Sequence, residues 1–377
     1  MWWGNTHEHL QEGHMAYADT RFLTRRRALS ARLAGMRIDE MLVTNLNHVR
    51  YLSGFSGSQG ALVLAKDLTA EIATDGRYTT QIAEEVPDIE AIIERPSAQA
   101  LLKRIEGPRR VGFEASYVSV AELDKLKEAC NEDVTLVPVT GVIEDIRLIK
   151  DNTERLRLIE VAELASQAFD DLIAAGELAV GRSERDIAAD LEHRMRRLGA
   201  ERPSFDTIVA SGPNTAKPHH TAGDRVLRRG DLVIMDFGAH ARAFNSDMTR
   251  TVAMGEADDF TREVYDVVLR AQLAGIEAAT PGTRLVDVDA AARSVIEEAG
   301  YGDYFVHSTG HGIGLEVHEG PWASQHGEGT LAEHMTLTIE PGIYIPGRGG
   351  VRIEDTVLIT QGPARIITPA SKELRVV

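Results

Sequence analysis

The chain has 377 residues, 43% hydrophobic and 26% charged, which is enough for two domains with a sizeable core each. A formal charge of −17 argues against a surface for nucleic acid or anionic membrane, which needs clustered Lys and Arg. No apolar run approaches the ~20 residues of a membrane span, and the single Cys130 permits no intrachain disulfide, so a reducing, cytoplasmic setting is expected.

The opening MWWGNTHEHLQEGHM lacks the basic and apolar regions of a secretory signal. It reads as a flexible stretch of about 18 residues, and His7, His9 and His14 carry no weight. RFLTRRRALSARLAGM then predicts a helix stopping at Gly35, its TRRR run a solvated face. EMLVTN and ALVLA read as strands, TTQIAEEV as a helix, RVGFEA as a strand and AELDKLKEAC as a helix. That alternation predicts an α/β domain over residues 1–150. GFSGSQG lacks the lysine and spacing of a phosphate loop.

A second domain, residues 151–377, is predicted to open with Asp151 at a helix N-cap and Glu154 three residues on, a capping-box arrangement ahead of apolar residues at helical spacing to Gly176. Two of its segments repeat weakly. GRSERDIAADLEHRMRRLG (181–199) and GTRLVDVDAAARSVIEEAG (282–300) share an Asp at the sixth place and a closing glycine, each followed by strand-rich sequence. Pattern alone also allows coincidence between two capped helices.

DLVIMDFGAHARAFNSDMTRTVAM reads as a hairpin with its turn near residues 240–243, which sets Asp236 opposite Asp247. LTIEPGIYIPGRGGVRIEDTVLI reads as another, turning at Gly347, which sets Glu340 opposite Glu354, with a candidate bulge at Pro341-Gly342. Any one of these acids could end a strand harmlessly in water. Two facing pairs amid Val, Ile and Leu repel, and need protons or divalent cations to neutralise them. Between the hairpins lies HSTGHGIGLEVHE (307–319), too glycine-rich for a helix and read as a loop running into the strand GLEVH. His311 in it is the natural fifth ligand. Oxygen-rich ligation with one imidazole suits two Mn²⁺ or similar ions, Co²⁺ and Zn²⁺ being alternatives.

MDFGAHARAFNSDMTRT, TGHGIGLEVHE, TIEPGIY and GGVRIEDTVLIT, with SGPNTAKPHH upstream, resemble the signatures of the aminopeptidase P and prolidase family of dinuclear metallopeptidases. HVRYLSGFSGS and TDGRYTTQ extend the resemblance into the first domain. It implies an α/β N-terminal domain followed by an α+β, pseudo-duplicated pita-bread catalytic domain. It also implies the metal ligands Asp236, Asp247, His311, Glu340 and Glu354, with Asp247 and Glu354 bridging two ions. His219, His307 and His318 match the family's substrate-facing histidines, Arg352 an arginine beside the bridging carboxylate, and Tyr344 a supporting residue or an ordinary core aromatic.

The implied reaction is hydrolysis of the bond between a first residue and a following proline in short peptides, by a homodimer. Glu340 would accept the proton of the attacking water, His318 or His307 would stabilise the oxyanion, and His219 or Glu340 would protonate the leaving nitrogen. In some archaeal-type prolidases an arginine stands a few residues past the VHE motif; here Trp322 occupies that region. This departure tilts the expectation toward an Xaa-Pro aminopeptidase over a dipeptidase, although a basic residue such as Arg77 could replace the arginine. Rivals are a metal-free creatinase-like hydrolase, a methionine aminopeptidase, and a catalytically silent binding module on the same fold. Such silent relatives typically lose the ligand set kept here.

Overall fold

The computed structural model describes residues 20–377; the flexibility expected of the N-terminal stretch, with its three histidines, concerns residues outside that range. Two compact units divide the chain, one ending at Ile146 and one running from Arg147 to Val377.

The first unit is built on a six-stranded sheet: β1 Glu40–Val43, β2 Ala61–Ala65, β3 Ala70–Thr74, β4 Glu90–Ile93, β5 Arg109–Glu114 and β6 Val134–Val139, in the order β4-β3-β2-β1-β5-β6. Strands β1, β5 and β6 run parallel, as do β3 and β4, and helices join them. The arginine run of the first helix, Thr20–Met36, is not simply a solvated face. Arg25 and Arg26 are buried and continue the stripe of Leu29 and Leu33. Their guanidinium groups donate to the carbonyls of Tyr51 (3.0 Å) and Leu52 (2.9 Å) near the C-terminal end of the helix Leu46–Ser53, and Arg26 also pairs with Asp88. Long aliphatic stems with satisfied heads can be buried at such a helix end.

The second unit is a duplicated α+β structure. Its helices Asn152–Ala174 and Glu184–Leu198 recur as Asp259–Ala278 and Leu285–Glu298. Asp151 caps the first of them, and Glu154 answers it in a complete capping box. Corresponding backbone bonds tie each copy: Gly181 N–H to Leu227 O (2.9 Å) and Leu227 N–H to Arg182 O (2.9 Å), against Gly282 N–H to Leu331 O (2.8 Å) and Leu331 N–H to Thr283 O (2.8 Å). The repeat in the sequence is therefore architectural.

The strands of the first copy are β7 Arg202–Pro203, β8 Ile208–Ser211, β9 Leu232–Phe237, β10 Ala239–Ala241, β11 Phe244–Asn245 and β12 Met248–Ala253. The second copy supplies β13 Gly310–Gly312, β14 Glu319–Ala323, β15 Thr336–Ile339, β16 Gly342–Ile345, β17 Gly349–Arg352 and β18 Asp355–Leu358. Apolar faces of these strands pack on the helices: Ile343, Val351 and Ile353 join Val264, Val268 and Ala271, while Leu337 and Val357 join Leu285 and Val288.

The two hairpins differ in how they match expectation. In the first, the turn is Arg242–Ala243, both at positive φ, and Asp236 pairs with Thr249. The predicted pairing of Asp236 with Asp247 is thus displaced by two residues, since HARA carries none of the Asn-Gly or Asp-Gly signals that fix a two-residue turn. In the second, Gly342 pairs with Arg352 and Ile339 with Asp355, one register on both sides of Pro341-Gly342 with no inserted residue. Glu340 and Glu354 sit facing in the gap between those ladders. Their N–H groups donate to neighbouring strands instead, to Thr309 O (2.8 Å) and Thr249 O (3.1 Å).

Candidate metal centre

The glycine-rich segment forms the short strand β13, GHG, paired with β14, EGPWA; the predicted strand GLEVH is instead a turn between them. A Cβ on Gly310 would collide with the Thr338 carbonyl, and one on Gly312 with the Gly320 carbonyl. Close backbone approach is what the glycines serve, and it delivers His311 against the strand that leads to Glu340. The His311 N–H donates to Thr338 Oγ1 (3.0 Å), and its Nδ1 donates to the Gly312 carbonyl (3.0 Å). That bond engages Nδ1 and turns Nε2 toward the carboxylates, 3.3 Å from Glu340 and 3.7 Å from Asp247.

All five predicted ligands meet here. Ligand atoms of Asp236, Asp247 and Glu354 lie within 4.8 Å of one another, and so do those of His311, Glu340 and Glu354. Arg352, buried, donates to Asp236 Oδ2 (2.7 Å), Tyr344 Oη (2.7 Å) and Thr249 Oγ1 (3.1 Å). Thr249 in turn donates to Glu354 Oε2 (2.8 Å).

Among the described residues, two of the buried oxygens without a hydrogen-bond partner belong to this cluster, Asp236 Oδ1 and Glu354 Oε1. Orphaned carboxylate oxygens are costly in a protein interior, and these two belong to one cluster. A divalent cation satisfies both the oxygens and the charge, so the donor set fits hard metal ions.

The electrostatics say the same. Burial, then the neighbouring charges of Glu354 and Asp236, pushes Asp247 well above the ordinary carboxyl range. Burial with Glu340 and Asp236 does this to Glu354, and burial raises Asp236 despite Arg352. Glu340 is the exception: burial would raise it, but the hydrogen bond and charge of His311 bring it down to about 2. His311 moves upward in return, Glu340 outweighing the effect of burial. Without cations the cluster holds extra protons, which bound cations displace.

Around the cluster is a cavity of ≈ 410 Å³, onto which His219, His307 and His318 all open. His219 and His318 are exposed. His307 differs: its Nδ1 donates to Ser308 O (2.8 Å), and its Nε2 meets the Tyr344 hydroxyl at 2.9 Å. With both nitrogens engaged and burial lowering its pKa, His307 is a neutral prop, ill-suited to the predicted oxyanion role. Tyr344 is both things the sequence allowed, a buried aromatic and the bridge between Arg352 and His307. Arg77, in the other unit, is engaged by Asp75 at 2.9 Å.

Sequence reasoning missed three supports. Fully buried Glu184 accepts from Ser211 N and Oγ, Asn214, His220 and Gly223 N, pinning the loop that carries His219. Buried Asp289 does the same in the other copy, accepting from Thr309 N (3.0 Å) and Oγ1 (2.8 Å). Glu319, beside His318, pairs with buried Arg147 and with Lys150 (2.6 Å). Nothing local separates such acids from ordinary helix-start or strand residues; only the third dimension shows their partners.

A pseudo-duplicated pita-bread domain holding this carboxylate and histidine cluster, following an α/β N-terminal domain in the chain, defines a metal-dependent peptidase. Residues 157–361 match metallopeptidase family M24 and residues 25–149 the creatinase/prolidase N-terminal domain, and the chain belongs to this family. An Xaa-Pro dipeptidase of Pyrococcus horikoshii is 42% identical over 341 residues, 89% of this chain and 94% of the relative. Among solved structures, an Xaa-Pro dipeptidase from Bacillus anthracis superimposes with a TM-score of 0.90 at 37% identity, over 94% of this chain and 100% of that one. An X-Pro aminopeptidase from Thermotoga maritima superimposes with 0.84 at 35% identity, over 93% and 99%. Among the described residues no helix is long and apolar enough to cross a membrane.

Proposed function

We propose that the protein is an Xaa-Pro dipeptidase, a metallo-exopeptidase that releases a first residue from a following proline. The orphaned pair Asp236 Oδ1 and Glu354 Oε1, in carboxylates that cluster with Asp247 and with His311 and Glu340, is the observation that carries a metal site. The dipeptidase reading over the aminopeptidase expected from Trp322 rests on the relatives and solved structures, among which Xaa-Pro dipeptidase or prolidase is a more frequent name than aminopeptidase.

Two divalent cations, Mn²⁺ favoured, would be held by Asp236, Asp247, His311, Glu340 and Glu354, and would supply Lewis acidity and an acidified water. Glu340, ionised at neutral pH, accepts the water's proton. His318 faces the developing oxyanion, with its ring 4.5 Å from that of His311. Glu340 then gives that proton up to the imide nitrogen, directly or through His219, because the nitrogen cannot leave without one. Arg352, bridged to His307 by Tyr344, holds Asp236 in place. A homodimer acting in the cytoplasm completes the reading, carried by family resemblance alone.

The test is hydrolysis of matched Xaa-Pro and Xaa-Pro-Yaa peptides by protein dialysed against chelator, with Mn²⁺, Co²⁺ and Zn²⁺ added in turn. Activity should vanish on chelation, return with metal, and favour the dipeptide. Faster cleavage of the tripeptide would restore the aminopeptidase reading, and undiminished activity in chelator would defeat the metal site.

A further inference from the structure

A prolyl nitrogen in a peptide bond has no N–H, so no hydrogen bond to it can identify the residue; what marks proline is a rigid, compact ring of methylene groups. Reading such a ring takes a flat apolar surface next to the reacting atoms, and an aromatic face serves best. The cavity offers one. Trp322 lies on β14 directly across the ladder from His311, and the two rings are 6.0 Å apart. Its side chain is 49% exposed and lines the cavity, whereas Phe205, Ile208 and Pro218 on the same walls are more deeply covered.

The mount is rigid. Thr309 N–H donates to Ala323 O (3.0 Å) just after Trp322, and Glu319 at the strand's start is tied to Arg147 and Lys150. An indole left open to a catalytic cavity, on a strand tied down at both ends, is a surface awaiting a ligand.

We propose that Trp322 is the wall against which the substrate's prolyl ring packs, and so the residue that sets preference for proline over other residues after the scissile bond. This deepens the Xaa-Pro reading and rests on it. The position that looks like the loss of a cationic clamp is, on this account, the gain of a ring-reading face.

The experiment compares wild type, Trp322→Ala and Trp322→Phe, each loaded with Mn²⁺, on Met-Pro and Met-Ala. The ratio of kcat/KM for Met-Pro to that for Met-Ala should fall roughly tenfold in Trp322→Ala, mainly through KM, and stay within about threefold of wild type in Trp322→Phe. A ratio unchanged in Trp322→Ala, including the case where both substrates lose rate equally, overturns the proposal. Fluorescence gives an arm independent of turnover, because the other tryptophans, Trp2 and Trp3, are common to wild type and variants. L-Proline, and not L-alanine, should perturb the emission of metal-loaded wild type, and Trp322→Phe should lose that response. A response that persists in Trp322→Phe, or one equal for both amino acids, also overturns it. Wild type that hydrolyses neither dipeptide defeats the Xaa-Pro reading itself, and the fluorescence arm still decides whether Trp322 meets proline.

Discussion

Replacing Glu354 by Gln should make the metal-free protein more stable while it weakens the metal-bound one. Carboxylate oxygens of Asp236, Asp247 and Glu354 lie within 4.8 Å of one another. At an effective dielectric constant of ~20, each ionised pair at that separation repels by roughly 3 kcal/mol. Wild type escapes by taking up a proton, which costs ~1.36 kcal/mol for each pH unit above the ordinary carboxyl pKa, or about 1 kcal/mol for a glutamate at pH 5, until the cost matches the repulsion it avoids.

Glutamine has the shape of the protonated acid without that cost. A carboxyl whose folded pKa is raised, as for Glu354 and Asp247, contributes most at low pH, and its contribution is lost as pH climbs through the folded value. The gain from Glu354→Gln is therefore expected to be ~3 kcal/mol at pH 8 and ~1 kcal/mol at pH 5. For a domain of this size that is on the order of 10 °C in Tm at pH 8 and a few degrees at pH 5. Circular-dichroism melts of chelator-dialysed protein across this range measure it. Adding Mn²⁺ should reverse the order, because wild type alone keeps the Glu354 donor. Metal-free Glu354→Gln that melts at or below wild type at pH 8, both shown to be metal-free, would refute the repulsion argument.

Asp247→Asn should lose at least one equivalent of metal by elemental analysis while its circular dichroism stays native; full turnover in that variant would remove Asp247 from the site. Glu319→Gln should destabilise by ~3 kcal/mol at neutral pH, since it leaves buried Lys150 facing a neutral amide and Arg147 with only the more exposed Glu316 as an ionised partner. Glu319 is buried, yet Lys150 and Arg147 hold its pKa below the usual value, so its contribution is present above the unfolded pKa. The gap between wild type and variant in denaturant melts should close as pH falls through the folded value, and a gap that widens in acid would contradict the ion triad.

The acids of the site were legible because they are anomalous. Asp236, Asp247, Glu340 and Glu354 stand in or beside apolar strands of two hairpins, and a sequence shows such a conflict without coordinates. The supports were not legible, because each owes its role to a distant partner. Glu184 reads as an ordinary acid in a first helical turn until Ser211, Asn214 and His220 converge on it. The buried guanidinium groups of Arg25 and Arg26 depend on the end of a helix some twenty-six residues along the chain. His307 looked chemically equal to its neighbours until Tyr344 and Ser308 took both its nitrogens.

The wrong register of the first hairpin explains why the site was found anyway. The turn was misplaced so that Asp236 met Asp247, when its partner is Thr249. The slip is two residues, and side chains repeat on a strand face every two, so Asp247 moved one step diagonally along the same face instead of turning away. It still reaches the cluster, within 4.8 Å of Asp236 and Glu354. A slip of one residue would have sent it to the opposite face. What a sequence must supply to reveal a carboxylate cage is thus the parity of the pairing, and alternating apolar strands supply that far more firmly than they fix the turn.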